Sequence, residues 1–133
     1  MSPIRDAAVR SLITRPPVFV HLDDSLRQLA TTFVEESIGA AVVRNTNPLG
    51  LVSERDVMRA LADGATLDQT SVREIMTEEV EVAAPTDLII DIVDRMVDNE
   101  IRHMPVTTPD GAVIGLVSAR DALTRLAETW HAQ

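Results

Sequence analysis

The chain has 133 residues and a mass of 14.5 kDa, about one domain of ordinary size, with 45% hydrophobic and 25% charged residues. That composition is globular, and the absence of cysteine excludes disulfides, thiolate metal sites and a cysteine nucleophile. Twelve arginines, no lysine and 21 acidic residues give a net charge of −9 and a pI near 4.6, with no basic run of the kind nucleic-acid binders carry.

The longest apolar runs, Ile38 to Val43 and Ala112 to Val117, are six residues long, far short of the roughly 20 that span a bilayer. Residues 1–10 lack the apolar core of a signal peptide, so a cytoplasmic protein is expected. Aromatics are limited to Phe19, Phe33 and Trp130. A bound nucleobase would therefore lie between aliphatic side chains and backbone groups.

After an N-terminal segment, 1–8, an internal repeat organises the chain. Val9-Arg10-Ser11-Leu12-Ile13-Thr14 returns as Val72-Arg73-Glu74-Ile75-Met76-Thr77, and Gly50 to Ala62 returns as Gly115 to Ala127 with eight of thirteen positions identical. The offset grows from 63 to 65, and the two added residues fall in the Pro109-Asp110-Gly111 turn, where insertions are tolerated. Unit one spans 9–62, a polar linker 63–71, unit two 72–128 and a tail 129–133. A unit of about 60 residues is marginal alone, so the halves are expected to share a core.

Each unit reads β-α-β-β-α, an α/β (α+β) fold class. A short strand, Val18-Phe19-Val20, opens the first. Leu26, Leu29, Ala30, Phe33 and Val34 then recur at helical spacing, and Ser25 with Gln28 predicts a capping box. Two apolar runs follow, Ala40 to Val43 and Leu49 to Val52, and a second helix starts at Ser53. The second unit repeats the series. Its strand is Val80-Glu81-Val82. Its helix carries Ile89, Ile92, Val93, Met96 and Val97, with Thr86 as N-cap. Its runs are Met104 to Val106 and Val113 to Val117, joined by an Asp110-Gly111 hairpin, and its last helix starts at Ser118.

The chemistry-bearing pattern is Gly-x-x-Ser-x-Arg-Asp at both strand-to-helix junctions: Ser53, Arg55 and Asp56, then Ser118, Arg120 and Asp121. Two readings are compatible. Serine and aspartate three apart form a capping box. Alternatively, the helix start presents N–H groups to a phosphate, the aspartate accepts hydrogen bonds from vicinal hydroxyls, and the glycine lets a ligand approach the backbone. Capping alone would tolerate Thr, Asn or Glu, so retention of all four residue types in both copies favours a site. Arg102-His103 begins a strand in copy two, where copy one has Gly39-Ala40. It is either an exposed strand start or a phosphate-facing pair.

His21, His103 and His131 show no metal spacing. Asp87, Asp91, Asp94 and Asp98 read as a solvated acidic face, and Met58, Met76, Met96 and Met104 as core fillers. No phosphate loop, nucleophile elbow or zinc motif is present, so no enzymatic activity is expected.

The repeated Gly-x-x-Ser-x-Arg-Asp junction, the Ile101-Arg102-His103-Met104-Pro105-Val106 run and the tandem units resemble a pair of cystathionine β-synthase (CBS) domains over about residues 9–128. The resemblance implies two pseudo-two-fold related units packed through their sheets. It implies clefts for AMP, ADP, ATP or S-adenosylmethionine, with no covalent cofactor. It gives the ribose to Asp56 with Ser53 and to Asp121 with Ser118. The adenine edge goes to backbone at Ile38-Gly39-Ala40 and Ile101-Arg102-His103, and loops around Thr14 and Thr77 complete the pockets. It also implies a homodimer and, with no effector domain attached, a separate protein partner. The family's proline at the strand start is Pro105 in copy two but Val42 in copy one, so the two pockets are expected to differ in affinity. The alternative is a module that binds no nucleotide and only dimerises. Membrane and nucleic-acid partners are not expected.

Overall fold

In the computed structural model, residues 4–132 are described. Residues 1–3 of the N-terminal segment and residue 133 of the tail lie outside the described residues. The elements run β1 (Phe19–Val20), α1 (Leu26–Glu36), β2 (Ala40–Val43), β3 (Gly50–Ser53), α2 (Glu54–Ala62), α3 (Val72–Ile75), α4 (Ile89–Asn99), β4 (His103–Thr107), β5 (Val113–Ser118) and α5 (Ala119–His131). Two 3-10 turns, Ile4–Asp6 and Val9–Leu12, precede them. In one sheet β1 runs parallel to β2 and β2 antiparallel to β3, and in the other β4 pairs antiparallel with β5.

The chain forms two compact units, and their boundaries cross those of the repeats. Of the described residues, one holds 18–80 and the other 4–17 with 81–132; they are called here the middle and the terminal unit. The short helical segment that opens each repeat thus lies in the unit that carries the other repeat's sheet. Val9 and Leu12 of copy one are buried with Ile89, Ile92, Met96, Met104, Val106 and Val117 of copy two. Val72 of copy two is buried with Leu26, Leu29, Phe33, Val43 and Val52 of copy one. Removing a valine or leucine of this size from water contributes roughly 1.5–3 kcal/mol, which neither repeat obtains from its own segment.

Backbone hydrogen bonds seal these crossings at matching positions. Ser25 bridges Ser71 and Ala8 bridges Leu88. The first N–H of α1, at Leu26, donates to the Thr70 carbonyl (3.0 Å), and that of α4, at Ile89, to the Ala7 carbonyl (2.9 Å). A helix start has unpaired N–H groups, and here the crossing chain supplies an acceptor.

The structure bears out the Ser25–Gln28 capping box, with both reciprocal bonds present. It corrects the expectation for Thr86. The residue preceding α4 is Leu88, and no side chain caps that helix, because the Ala7 carbonyl already takes its first donor. It also corrects the strand at 80–82. In copy one the Val42 N–H donates to the Val18 carbonyl (3.0 Å) and the Arg44 N–H to the Val20 carbonyl (2.8 Å). In copy two the residue matching Val42 is Pro105, which has no N–H. Only the second bond survives, Thr107 N–H to the Ala83 carbonyl (2.9 Å), and the strand shrinks to a single Ala83–Val106 bridge.

Two helix-stripe positions and one methionine also fall outside the core. Val34, Val97 and Met58 are 79%, 70% and 69% exposed, so the apolar stripes of α1 and α4 end one residue earlier than their spacing implies. Met96 and Met104 are buried as expected.

The glycine before each junction has a structural task rather than the ligand-facing one its position suggests. A Cβ on Gly115 would lie 2.6 Å from Cδ1 and Cγ1 of Ile13 and 2.9 Å from its Cγ2. A Cβ on Gly50 would lie 3.1 Å from Sδ of Met76. Beside Gly115 the space is filled by the crossing segment; beside Gly50, Met76 shares it with Thr46 Oγ1 (3.2 Å) and Val43 Cβ (3.3 Å) of the same hairpin. Gly115→Ala is expected to lower stability by about 1–3 kcal/mol, the usual cost of overpacking. Gly50→Ala should cost less, because an unbranched methionine can bend aside. Denaturant unfolding of both variants checks this, and Ile13→Ala should recover part of the Gly115→Ala loss.

Candidate functional site

Both junctions are built alike. Helix α1 ends at Ser37 and α4 at Glu100, each left-handed with φ 54°. The Ser37 N–H donates back to the Phe33 and Val34 carbonyls, and the Glu100 N–H to those of Met96 and Val97. This reversal starts the next strand beside the coming helix. In the middle unit Ala40 pairs with Ser53, and the Glu54 N–H donates to the Gly39 carbonyl (2.9 Å). In the terminal unit His103 pairs with Ser118, and the Ala119 N–H donates to the Arg102 carbonyl (2.8 Å). The structure thus brings Ile38-Gly39-Ala40 together with Ser53 and Asp56, and Ile101-Arg102-His103 together with Ser118 and Asp121.

The capping reading of the motif holds in both copies. The Ser53 N–H donates to Asp56 Oδ2 (2.9 Å), the Ser53 hydroxyl donates to the same oxygen (3.1 Å), and the Asp56 N–H donates to Ser53 Oγ (3.2 Å). The Ser118 N–H donates to Asp121 Oδ2 (2.8 Å), and the Asp121 N–H to Ser118 Oγ (3.1 Å). One carboxylate oxygen is therefore committed to the cap. Among the described residues the other, Oδ1, takes no hydrogen bond in either copy, and both aspartates are only half-buried. Capping and ligand recognition use different oxygens of one carboxylate, so the two readings coexist.

Arg55, Arg120 and Arg102 are exposed, and His103 is half-buried at the start of β4. The first two lie in the first turn of α2 and α5, where the dipole disfavours a cation and favours an anion beside it. Among the described residues no three His, Cys, Asp or Glu side chains gather as a metal site. Among the described residues no helix is long and apolar enough to cross a membrane.

Thr14 and Thr77 exchange places relative to their repeats. Thr77, of copy two, forms a two-way bridge with Leu51 of copy one: the Leu51 N–H donates to the Thr77 carbonyl (3.0 Å), and the Thr77 N–H to the Leu51 carbonyl (2.7 Å). It thus belongs beside Ser53 and Asp56. Thr14, next to Ile13 on Gly115, belongs beside Ser118 and Asp121. The sequence did not mark Ile13 and Leu51, nor Met76 beyond a core role, as the residues that set these loops. The signal was the repeated hexapeptide 9–14 and 72–77, which carries no mark of which sheet it meets.

A family model described as CBS domain matches residues 9–63 and 72–128. The chain belongs to the CBS-domain family. It is similar to a CBS domain protein from Pyrobaculum aerophilum complexed with AMP, with 29% identity and a TM-score of 0.77, covering 92% of this chain and 99% of that one. A CBS-domain containing protein from Agrobacterium tumefaciens matches with 29% identity and a TM-score of 0.82, covering 90% of this chain and 99% of that one. An uncharacterized protein of Methanocaldococcus jannaschii is 30% identical over 131 residues. The chain spans 44% of that protein's length, and 60% of the length of a similar one from Methanopyrus kandleri.

Ser118→Ala and Ser53→Ala are each expected to lower stability by about 1 kcal/mol through loss of the cap. Thermal unfolding of the ligand-free protein reads this.

Proposed function

We propose that this CBS pair is a regulatory module that binds an adenosine-containing ligand (AMP, ADP, ATP or S-adenosylmethionine) at its two junctions and reports occupancy to a separate protein partner in the cytoplasm. What carries the reading is the half-buried Asp121 carboxylate with one oxygen spent on the cap and one available, a feature that Asp56 repeats. That oxygen suits the vicinal hydroxyls of a ribose. The helix start beside it suits a phosphate, and Arg120 and Arg55 stand where that phosphate's charge would offset the dipole. The AMP complex of the P. aerophilum relative supports the same ligand class. Backbone at Gly39 and Arg102, with aliphatic neighbours, would hold the base. No residue is assigned a catalytic role.

The terminal-unit junction is the stronger site in this reading. Arg102 and His103 add charge-assisted donors for a phosphate, where Gly39 and Ala40 offer backbone alone. Distant carboxylates are screened beyond about 8 Å.

The module also has faces suited to a second copy. Val34, Met58 and Leu61 are exposed in one unit, and their repeat equivalents Val97, Leu123 and Leu126, with Trp130, in the other. Matching apolar patches related by an internal repeat suit a two-fold homodimer. The same patches favour the second reading, a module that only dimerises.

Titration calorimetry separates the two. Asp121→Ala is expected to weaken AMP binding roughly ten- to a hundred-fold, the loss of one charge-assisted acceptor, whereas Ser118→Ala loses stability with a smaller change in affinity. Unchanged affinity in Asp121→Ala and Asp56→Ala alike rejects the ribose role. Arg102→Ala should weaken AMP more than adenosine. Light scattering should give a dimer mass, which Met58→Glu with Leu123→Glu converts to a monomer.

A further inference from the structure

The two junctions match in their Ser-x-Arg-Asp residues, but the ionised side chains around them differ in sign. At the strand start the middle unit has Gly39-Ala40 and the terminal unit Arg102-His103. The first residue of α2 is Glu54, and that of α5 is Ala119. After the crossing threonine come Glu78-Glu79 in the middle unit and Arg15-Pro16 in the terminal unit. Glu54, Glu78, Glu79, Arg15 and Arg102 are all exposed. At each of these matched places the middle junction is acidic or uncharged, and the terminal junction is basic or uncharged.

The neighbouring charges do not undo the contrast. Both crossing segments carry an arginine, Arg73 or Arg10, but Arg73 pairs with Asp23 (3.1 Å), whose counterpart in copy two is Thr86. Arg59 in α2 is balanced by Arg125, one place further along in α5. The ends of α1 and α4 carry two acids each, Glu35 with Glu36 and Asp98 with Glu100.

A helix start favours an anion. In α2 two carboxylates already answer it, Glu54 and Asp56, whereas α5 has Asp121 alone. A phosphate at the middle junction therefore meets like charge from Glu54, and from Glu78 beside Thr77. At the terminal junction it meets opposite charge from Arg102, and from Arg15 beside Thr14. Such charges act over a screening length of roughly 8 Å at physiological salt.

We propose that the two junctions sort adenosine ligands by the charge on the 5′ substituent. The terminal-unit junction takes 5′-phosphates. The middle-unit junction takes a 5′-sulfonium adenosine, S-adenosylmethionine, whose sulfonium and ammonium outweigh its carboxylate. The same aspartate serves the ribose in both, so the 5′ group alone separates them. The inference rests on the adenosine-ligand reading, and it lets one chain report two ligands at once.

Calorimetry with AMP, S-adenosylmethionine and adenosine tests the sorting on full-chain variants that keep one junction each. Asp121→Ala leaves the middle junction and Asp56→Ala the terminal one. With the middle junction alone, S-adenosylmethionine should bind at least about ten-fold tighter than AMP, and with the terminal junction alone the order should reverse. Both preferences should shrink between about 0.1 M salt, where charge is screened over ~10 Å, and about 1 M, where it is screened over ~3 Å. Adenosine should bind both junctions with no salt dependence. In the Asp121→Ala background, Glu54→Ala with Glu78→Arg puts the terminal unit's residues at exposed places of the middle unit. That change should move the preference toward AMP by at least about three-fold at low salt and leave adenosine affinity unchanged. The same order at both junctions, a junction that holds neither charged ligand, or a preference that the double substitution leaves unmoved overturns the sorting. Binding of any of the three ligands in those cases leaves the adenosine reading standing. No binding of any of them to the unaltered protein overturns both.

Discussion

Each sheet in this protein packs against a segment from the other repeat, pressed into a notch where a strand has no Cβ. Gly115 admits Ile13, and Gly50 admits Met76. Everything downstream follows from that close approach. Val9 and Leu12 become buried under the hairpin of copy two, and Val72 under the sheet of copy one. The crossing carbonyls then take the first N–H of α1 and of α4. Each repeat supplies most of one core and a small, indispensable part of the other. A unit of about 60 residues would be marginal by itself; the structure corrects the expectation of one shared core, giving each unit its own core closed by a segment of the other repeat.

The same arrangement sets the geometry of the candidate sites. A left-handed residue ends the first long helix and turns the chain into a strand. That strand lies beside the start of the second helix of its repeat, and the crossing segment arrives on the far edge. Three stretches far apart in the chain therefore meet at one helix start. The serine and aspartate there do two things at once. One carboxylate oxygen holds the cap, which fixes the side chain's orientation before any ligand arrives, and preorganisation of this kind lowers the cost of binding.

Duplication also permits divergence. Pro105 removes one strand bond that Val42 keeps, and Ala8 and Leu88 replace Ser71 and Ser25 at the matching bridge. These changes all fall in the terminal unit; the Ala8–Leu88 bridge itself persists, and Arg125 there adds a hydrogen bond to the Ser11 carbonyl (3.0 Å). Arg102 adds charge and His103 an imidazole in the same unit, where copy one has Gly39 and Ala40.

Much of this was legible in the residues. The repeat, the β-α-β-β-α order, the caps at Ser25, Ser53 and Ser118, and the hairpin at Asp110-Gly111 are local in origin, since hydrophobic period and capping chemistry act within a few residues. The loss of the strand at 80–82 was also written in the chain, in the missing N–H of Pro105, although the apolar pattern Val80-Glu81-Val82 masked it. What only the tertiary structure decided was which sheet each copy of the hexapeptide 9–14 and 72–77 would join, and hence that Thr77 belongs with Asp56 and Thr14 with Asp121. The two segments, identical at three of six positions, carry the same apolar pattern and no local mark of which sheet they join. Chain connectivity and the close packing of Ile13 on Gly115 and Met76 on Gly50 select the crossed pairing, and those are contacts between residues too distant in sequence for any local pattern to encode.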